Sequence, residues 1–216
     1  MTIKGGIFDM DGTLLDSMSI WRNIGIDYLL KLGIQPKPDL FDRLRVLSLT
    51  EAADYMRVDY RLEKPTEQVM REIDAMIEDF YFNTAPKKDG VVAFLDRLKA
   101  QGTRMVIATA TDRYLVEAAL KRTGLYGYFE RIYTCTEVGK GKEHPDIFEQ
   151  ALAHLGTPKE STYIFEDSYY AIVTAKKAGF PVFAVWDRFS AGQNAAIREL
   201  SDIYIDDFAQ AEQINL

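Results

Sequence analysis

Two rhythms of apolar and polar positions run along this 216-residue chain. Residues 3–9, Ile-Lys-Gly-Gly-Ile-Phe-Asp, read as a short strand ending at a carboxylate. After Ser17 the period lengthens: Ile20, Ile24, Tyr28 and Leu32 recur at helical spacing, with Trp21 and Leu29 on the same side. A polar, proline-containing break covers 33–39, and helices are expected near 40–47 and 50–59. Thr66 is placed to cap a further helix whose stripe is Val69, Ile73, Ile77 and Phe80. From Pro86 onward helix and strand alternate. Helices are predicted over 89–101, 112–123, 145–155, 168–178 and 192–199, and strands over 103–109, 130–134, 162–166, 181–185 and 202–205. Several of the helices stop at a glycine, as at Gly102, Gly124, Gly156 and Gly179.

This alternation predicts an α/β fold with a parallel sheet, and the near-continuous apolar strands predict that both faces of the sheet are covered. The all-helical stretch interrupts the alternation after the first strand, so it is expected to be an inserted cap, 17–84, within a core made of 1–16 and 85–216. Composition is that of a globular chain, 47% hydrophobic and 27% charged. The formal charge of −7, with no Lys/Arg-rich run, argues against nucleic-acid or anionic-membrane partners. Cys135, the one cysteine, precludes an intramolecular disulfide and fits a reducing compartment. No apolar run is long enough for a bilayer, and Asp9 and Asp11 come too early for a signal peptide. A cytoplasmic monomer is expected.

Four groups of residues could carry chemistry. Asp9-Met10-Asp11-Gly12-Thr13 closes the first strand, where ligands bind in open α/β sheets. Its two acids can hold a hard cation or divide nucleophilic and acid/base work, and Gly12 lets the backbone approach an anion. The alternative is a solvated turn. Ala108-Thr109-Ala110-Thr111 ends the strand 103–109; a hydroxyl here can donate to an anion or cap the next helix. Lys142, in Gly139-Lys140-Gly141-Lys142-Glu143-His144-Pro145-Asp146, can reach an anion or be a plain surface lysine. Glu166-Asp167-Ser168 ends the strand 162–166 and can complete an oxygen shell or supply a helix cap. The only histidines are His144 and His154, with no HExxH, so a zinc site is not expected. GxSxG, GxGxxG and Walker A patterns are also missing.

Together, the four resemble the haloacid dehalogenase-like hydrolases in their helical-cap branch, closest to the phosphoglycolate phosphatase and β-phosphoglucomutase type. Asp9 to Thr13, followed by Leu14-Leu15-Asp16-Ser17, stands for the family's first motif, Thr109 for its hydroxyl, Lys142 for its lysine and Glu166-Asp167-Ser168 for its acidic motif. The resemblance implies a Rossmann-like core and a Mg²⁺-dependent phosphatase acting on a small-molecule phosphate ester. Asp9 would be the nucleophile and Asp11 the general acid and base. The metal would be held by Asp9, the Asp11 main-chain carbonyl, Glu166 (directly or through water) and Asp167. Gly12, Thr13, Thr109, Ala110 and Lys142 would bind the phosphate. Trp21 and Ser48, in a cap that closes as a lid, would face the leaving group.

The chain also departs from the family. Glu143 replaces a proline, Ala171 a glycine, and Lys87-Lys88-Asp89-Gly90 a Pro-Tyr-Pro-Gly-like turn. A β-phosphoglucomutase-like phosphohexomutase is the nearest alternative, but the basic cap groups it needs fall at Trp21 and near Leu49. A dehalogenase or phosphonatase would lack the second acid. The alternative of another class is a non-enzymatic binding or scaffold protein, which would not need every catalytic position intact.

Overall fold

A computed structural model describes residues 2–44 and 49–214. The chain divides into two compact units, Met1–Ser17 with Ala85–Leu216, and Met18–Thr84.

The first unit opens with β1 (Gly5–Phe8); α1 (Met18–Lys31), α2 (Leu40–Leu44), α3 (Leu49–Asp59) and α4 (Thr66–Asp79) then form the second unit. The first unit resumes with α5 (Val91–Ala100), β2 (Arg104–Thr109), α6 (Arg113–Thr123), β3 (Ile132–Thr134), α7 (Cys135–Val138) and α8 (Asp146–Leu155). It finishes with β4 (Thr162–Glu166), α9 (Tyr169–Lys177), β5 (Val182–Val185), α10 (Asn194–Leu200) and β6 (Ile203–Ile205). The strands form one sheet in the order β3-β2-β1-β4-β5-β6, every neighbouring pair parallel.

Successive side chains of a strand point to opposite faces, and both faces here are apolar. Ile7, Val106, Ile164 and Val182 pack with Ile147, Phe148, Ala151 and Leu155 of α8 and Ile172 of α9. On the other face the sheet register sets Phe8 beside Phe165 and Phe165 beside Phe183. Their rings stack at 3.9 Å and 4.9 Å, and Phe94 of α5 packs edge-on against Phe165 at 5.7 Å. Gly6 makes room for this, because a Cβ there would lie 2.5 Å from the Phe8 ring.

In the helical unit, α1 buries Tyr28 and Leu29 fully, while Ile20, Ile24 and Leu32 are half-buried. Two expectations need correcting. Thr66 is the first residue of α4 and does not cap it; its hydroxyl bonds Asp54 Oδ1 at 3.0 Å instead. The apolar stripe continues through Val69, Ile73 and Ile77 to buried Tyr81, not to Phe80, because the chain widens into a π-turn over Phe80–Thr84. In the first unit, α7 follows β3 directly, where no helix was expected, and Thr134 caps it by accepting from the Glu137 N–H at 3.2 Å. Among the described residues, no helix is long and apolar enough to cross a membrane.

Candidate active site

β1 lies at the centre of the sheet, with β2 on one side and β4 on the other. The chain builds outward from β1 to β3, then returns to start again at β4. Ligands gather in the crevice that such a reversal opens beyond the carboxyl ends of the strands. Asp9 follows β1, Thr109 closes β2, Glu166 closes β4, and Lys142 arrives from the loop between α7 and α8. The Asp9 N–H donates to Phe165 O at 2.9 Å, which carries the β1–β4 pairing up to Asp9.

One oxygen from each of Asp9, Glu166 and Asp167 lies within 4.8 Å of the others, and all three residues are buried. Lys142 is buried too, so it is no surface lysine. Its ammonium donates to Asp9 Oδ1 and, at 2.8 Å, to Glu166 Oε1. The other oxygen of Glu166 accepts the N–H groups of Asp167 and Ser168 at 2.7 and 2.8 Å. Among the described residues Asp167 receives only hydroxyls, Thr13 on Oδ1 at 3.2 Å and Ser190 on Oδ2 at 3.4 Å.

Two of these three carboxylates, Asp9 and Glu166, thus share one ammonium. Burial works against the Lys142 charge, but Asp9 and Glu166 outweigh it and hold the lysine protonated beyond its ordinary range. Burial holds the Asp9 carboxyl well above the usual carboxylate range; Lys142 pulls against this, and Glu166 and Asp11 add to it. Asp167, wholly buried, is raised by that burial and by Glu166 and Asp9. A buried carboxylate with no ion pair among the described residues, beside two more acids, is the donor set of a hard divalent cation. The site therefore fits the metal that the sequence implied. Both Glu166 oxygens are already engaged, which leaves Asp9 and Asp167 freer to take a cation.

The Asp11 carboxylate stands outside this cluster. Ser17 donates to Oδ1 at 2.5 Å and Thr111 to Oδ2 at 2.7 Å. The loop returns on itself to allow this, with Gly12 N–H bonded to Leu15 O at 2.9 Å and Gly12 at φ +81°. Thr109 is buried and its Oγ1 accepts the Thr111 N–H at 3.1 Å; its own proton goes to no acceptor among the described residues. Neither threonine caps α6, because Asp112 occupies that position, and Ser168 heads α9 without a side-chain cap bond. Ala110 is exposed beside Thr109.

The candidates from the inserted segment divide. Trp21, 40% exposed, belongs to the helical unit, where its indole N–H donates to the Tyr81 hydroxyl at 2.8 Å. Ser48 lies outside the described residues. The sequence reading missed the hydroxyls of Ser17 and Thr111 as holders of Asp11. It placed Ser17 only in a run of family residues and Thr111 only as a possible cap.

A family model described as "Haloacid dehalogenase-like hydrolase" matches residues 6–185. The Protein CbbY of Rhodobacter capsulatus is 28% identical over 205 residues, covering 90% of each chain. Hexitol phosphatase B of Escherichia coli (strain K12) is 27% identical over 179 residues, covering 82% of this chain and 80% of its own. A solved structure from Thermotoga maritima, described as a candidate β-phosphoglucomutase, superposes with a TM-score of 0.83 over 98% of this chain and 99% of its own, at 21% identity.

Proposed function

The chain belongs to the haloacid dehalogenase-like hydrolases and is a phosphoric monoester hydrolase among them, and from that membership we propose that it cleaves a small-molecule phosphomonoester with Mg²⁺ through an aspartyl-phosphate on Asp9. The observation that carries this reading is the buried cluster of Asp9, Glu166 and Asp167, with the Lys142 ammonium between the first two.

Asp9 and Asp167 would hold the cation, with Glu166 directly or through water and the main-chain carbonyl of Asp11. When bound, it supplies positive charge that lets an anionic carboxylate meet an anionic phosphate. An Asp9 carboxylate oxygen attacks phosphorus in line, a P–O bond to Asp9 forms, and the ester P–O bond breaks. Lys142, donating to Asp9 Oδ1, orients that carboxylate and faces the developing charge. Thr109 has a hydroxyl proton to give to a phosphate oxygen. Asp11, oriented by Ser17 and Thr111, hands its proton to the departing alkoxide. It then takes a proton from the water whose oxygen attacks phosphorus, which frees Asp9 and releases phosphate.

The test is release of inorganic phosphate from a panel of sugar, nucleotide and small-acid monoesters. Release should need Mg²⁺ and fall on the order of 10⁴-fold or more in Asp9→Asn. No turnover across the panel would defeat the reading. Conversion of β-glucose 1-phosphate to glucose 6-phosphate with little net phosphate release would make the chain a mutase instead. Neither activity, together with capture of a protein partner, would mark a scaffold.

A further inference from the structure

Lys88 sits in the turn where this chain departs from its family's Pro-Tyr-Pro-Gly-like pattern, and it ties together the two loops that hold Asp167. We propose that Lys88 and Asp187 form a positioning ion pair that sets the Asp167 carboxylate for a divalent cation; this rests on the metal-assisted reading above.

Lys88 works through both its backbone and its side chain. Its N–H donates to Leu14 O at 2.9 Å, and Lys87 bridges to Leu15. The N–H groups of Leu14 and Leu15 return to Met10 O at 2.9 Å each, so this is the loop that carries Asp9 through Thr13. At its other end, the Lys88 ammonium donates to Trp186 O at 2.6 Å and lies 3.2 Å from Asp187 Oδ2. Asp187 closes the segment after β5. Its Oδ1 accepts the Phe189 N–H at 2.9 Å, and its carbonyl accepts the Ser190 N–H at 3.1 Å. That turn delivers the Ser190 hydroxyl to Asp167 Oδ2, while the first loop delivers Thr13 to Oδ1. The Asp167 carboxylate is therefore gripped from two loops that Lys88 and Asp187 join.

The pair is sheltered, with side-chain exposures of 14% for Lys88 and 2% for Asp187. A turn that only had to reverse the chain would need no buried charge. Because the pair is neutral as a unit, it orders the loops without cancelling the negative charge that a cation requires. Groups of this kind, which orient ligands without touching the metal, commonly change metal affinity by about 10–100-fold.

The experiment is calorimetric titration of the full chain with Mg²⁺, repeated with Mn²⁺ by electron paramagnetic resonance, with circular dichroism and melting as fold controls. Asp187→Asn and Lys88→Met should each bind the cation about tenfold or more weakly while staying folded. Lys88→Arg should recover most of the affinity. The double variant should lose no more than the worse single one, because one coupled unit is removed. In turnover, the Mg²⁺ needed for half-activity should rise while kcat at saturating Mg²⁺ recovers. A merely structural pair would lower the melting temperature and leave cation affinity at the wild-type value, and that result overturns the proposal. If Lys88→Met does not fold, Asp187→Asn decides. If the wild type binds no divalent cation, the metal-assisted reading itself falls, an outcome distinct from variants that bind as the wild type does.

Discussion

A Cβ at residue 12 would lie 2.5 Å from Asp167 Oδ2 in a backbone held at φ +81°. Any side chain there strains the turn and pushes the carboxylate away at once. Gly12→Ala should therefore fold, as circular dichroism will report, but release phosphate about 10²-fold more slowly, since small misplacements of reacting groups cost that much. Thr111 acts through Asp11, whose Oδ2 its hydroxyl holds at 2.7 Å. Hydrogen bonds to charged groups contribute about 1.5–3 kcal/mol, so Thr111→Val should lower kcat by roughly tenfold or more with KM little changed. A variant with wild-type kcat would remove Thr111 from the orientation of Asp11. At this scale Asp9, Lys142, Glu166 and Asp167 are legible in the sequence, because each follows an apolar strand or a glycine loop that announces where it sits. Thr111 is not, because its partner Asp11 is 100 residues away and nothing local marks the contact.

Within the helical unit, Glu72 of α4 gathers three donors. Tyr28 gives its hydroxyl to Oε2 at 2.8 Å, Lys64 its ammonium to the same oxygen at 2.7 Å, and Gln68 its amide to Oε1 at 2.9 Å. The Lys64 hydrogen bond, then that of Gln68, draws the Glu72 pKa down from 4.5 to about 2. Its folded pKa lies below its unfolded one, so its stabilisation is fully present above 4.5 and fades as pH falls towards about 2. Glu72→Gln should melt below the wild type at neutral pH, and the gap should close as melting is repeated towards the acid end of that window. A gap independent of pH would assign the effect to shape, not charge. The element boundaries themselves were largely legible, since hydrophobic period is a local property. The π-turn at Phe80–Thr84 was not: whether the stripe continues at residue 80 or 81 depends on how tightly the last turn winds.

Across the whole catalytic unit, the sheet carries its active edge on an aromatic ladder. Phe165 is fully buried between Phe8 and Phe183 and immediately precedes Glu166 and Asp167. Phe165→Ala should destabilise the protein by about 3–5 kcal/mol in urea unfolding, the usual cost of emptying a buried aromatic site. A loss below about 1 kcal/mol would mean that the neighbouring rings close the gap.

The sequence alone determined the class of fold, the insertion after the first strand, the three strand-end motifs and the lysine loop, because each rests on short-range pattern: period, turn residues and spacing. Tertiary structure decided what those motifs do to one another. Only the order β3-β2-β1-β4-β5-β6 brings residues 9, 142, 166 and 167 into one buried cluster. It also sets the Lys142 ammonium between Asp9 and Glu166, hands Asp11 to Ser17 and Thr111, and joins Lys88 to Asp187. Charge balance and desolvation are sums over everything that surrounds a group, so they exist only once distant segments of the chain have come together.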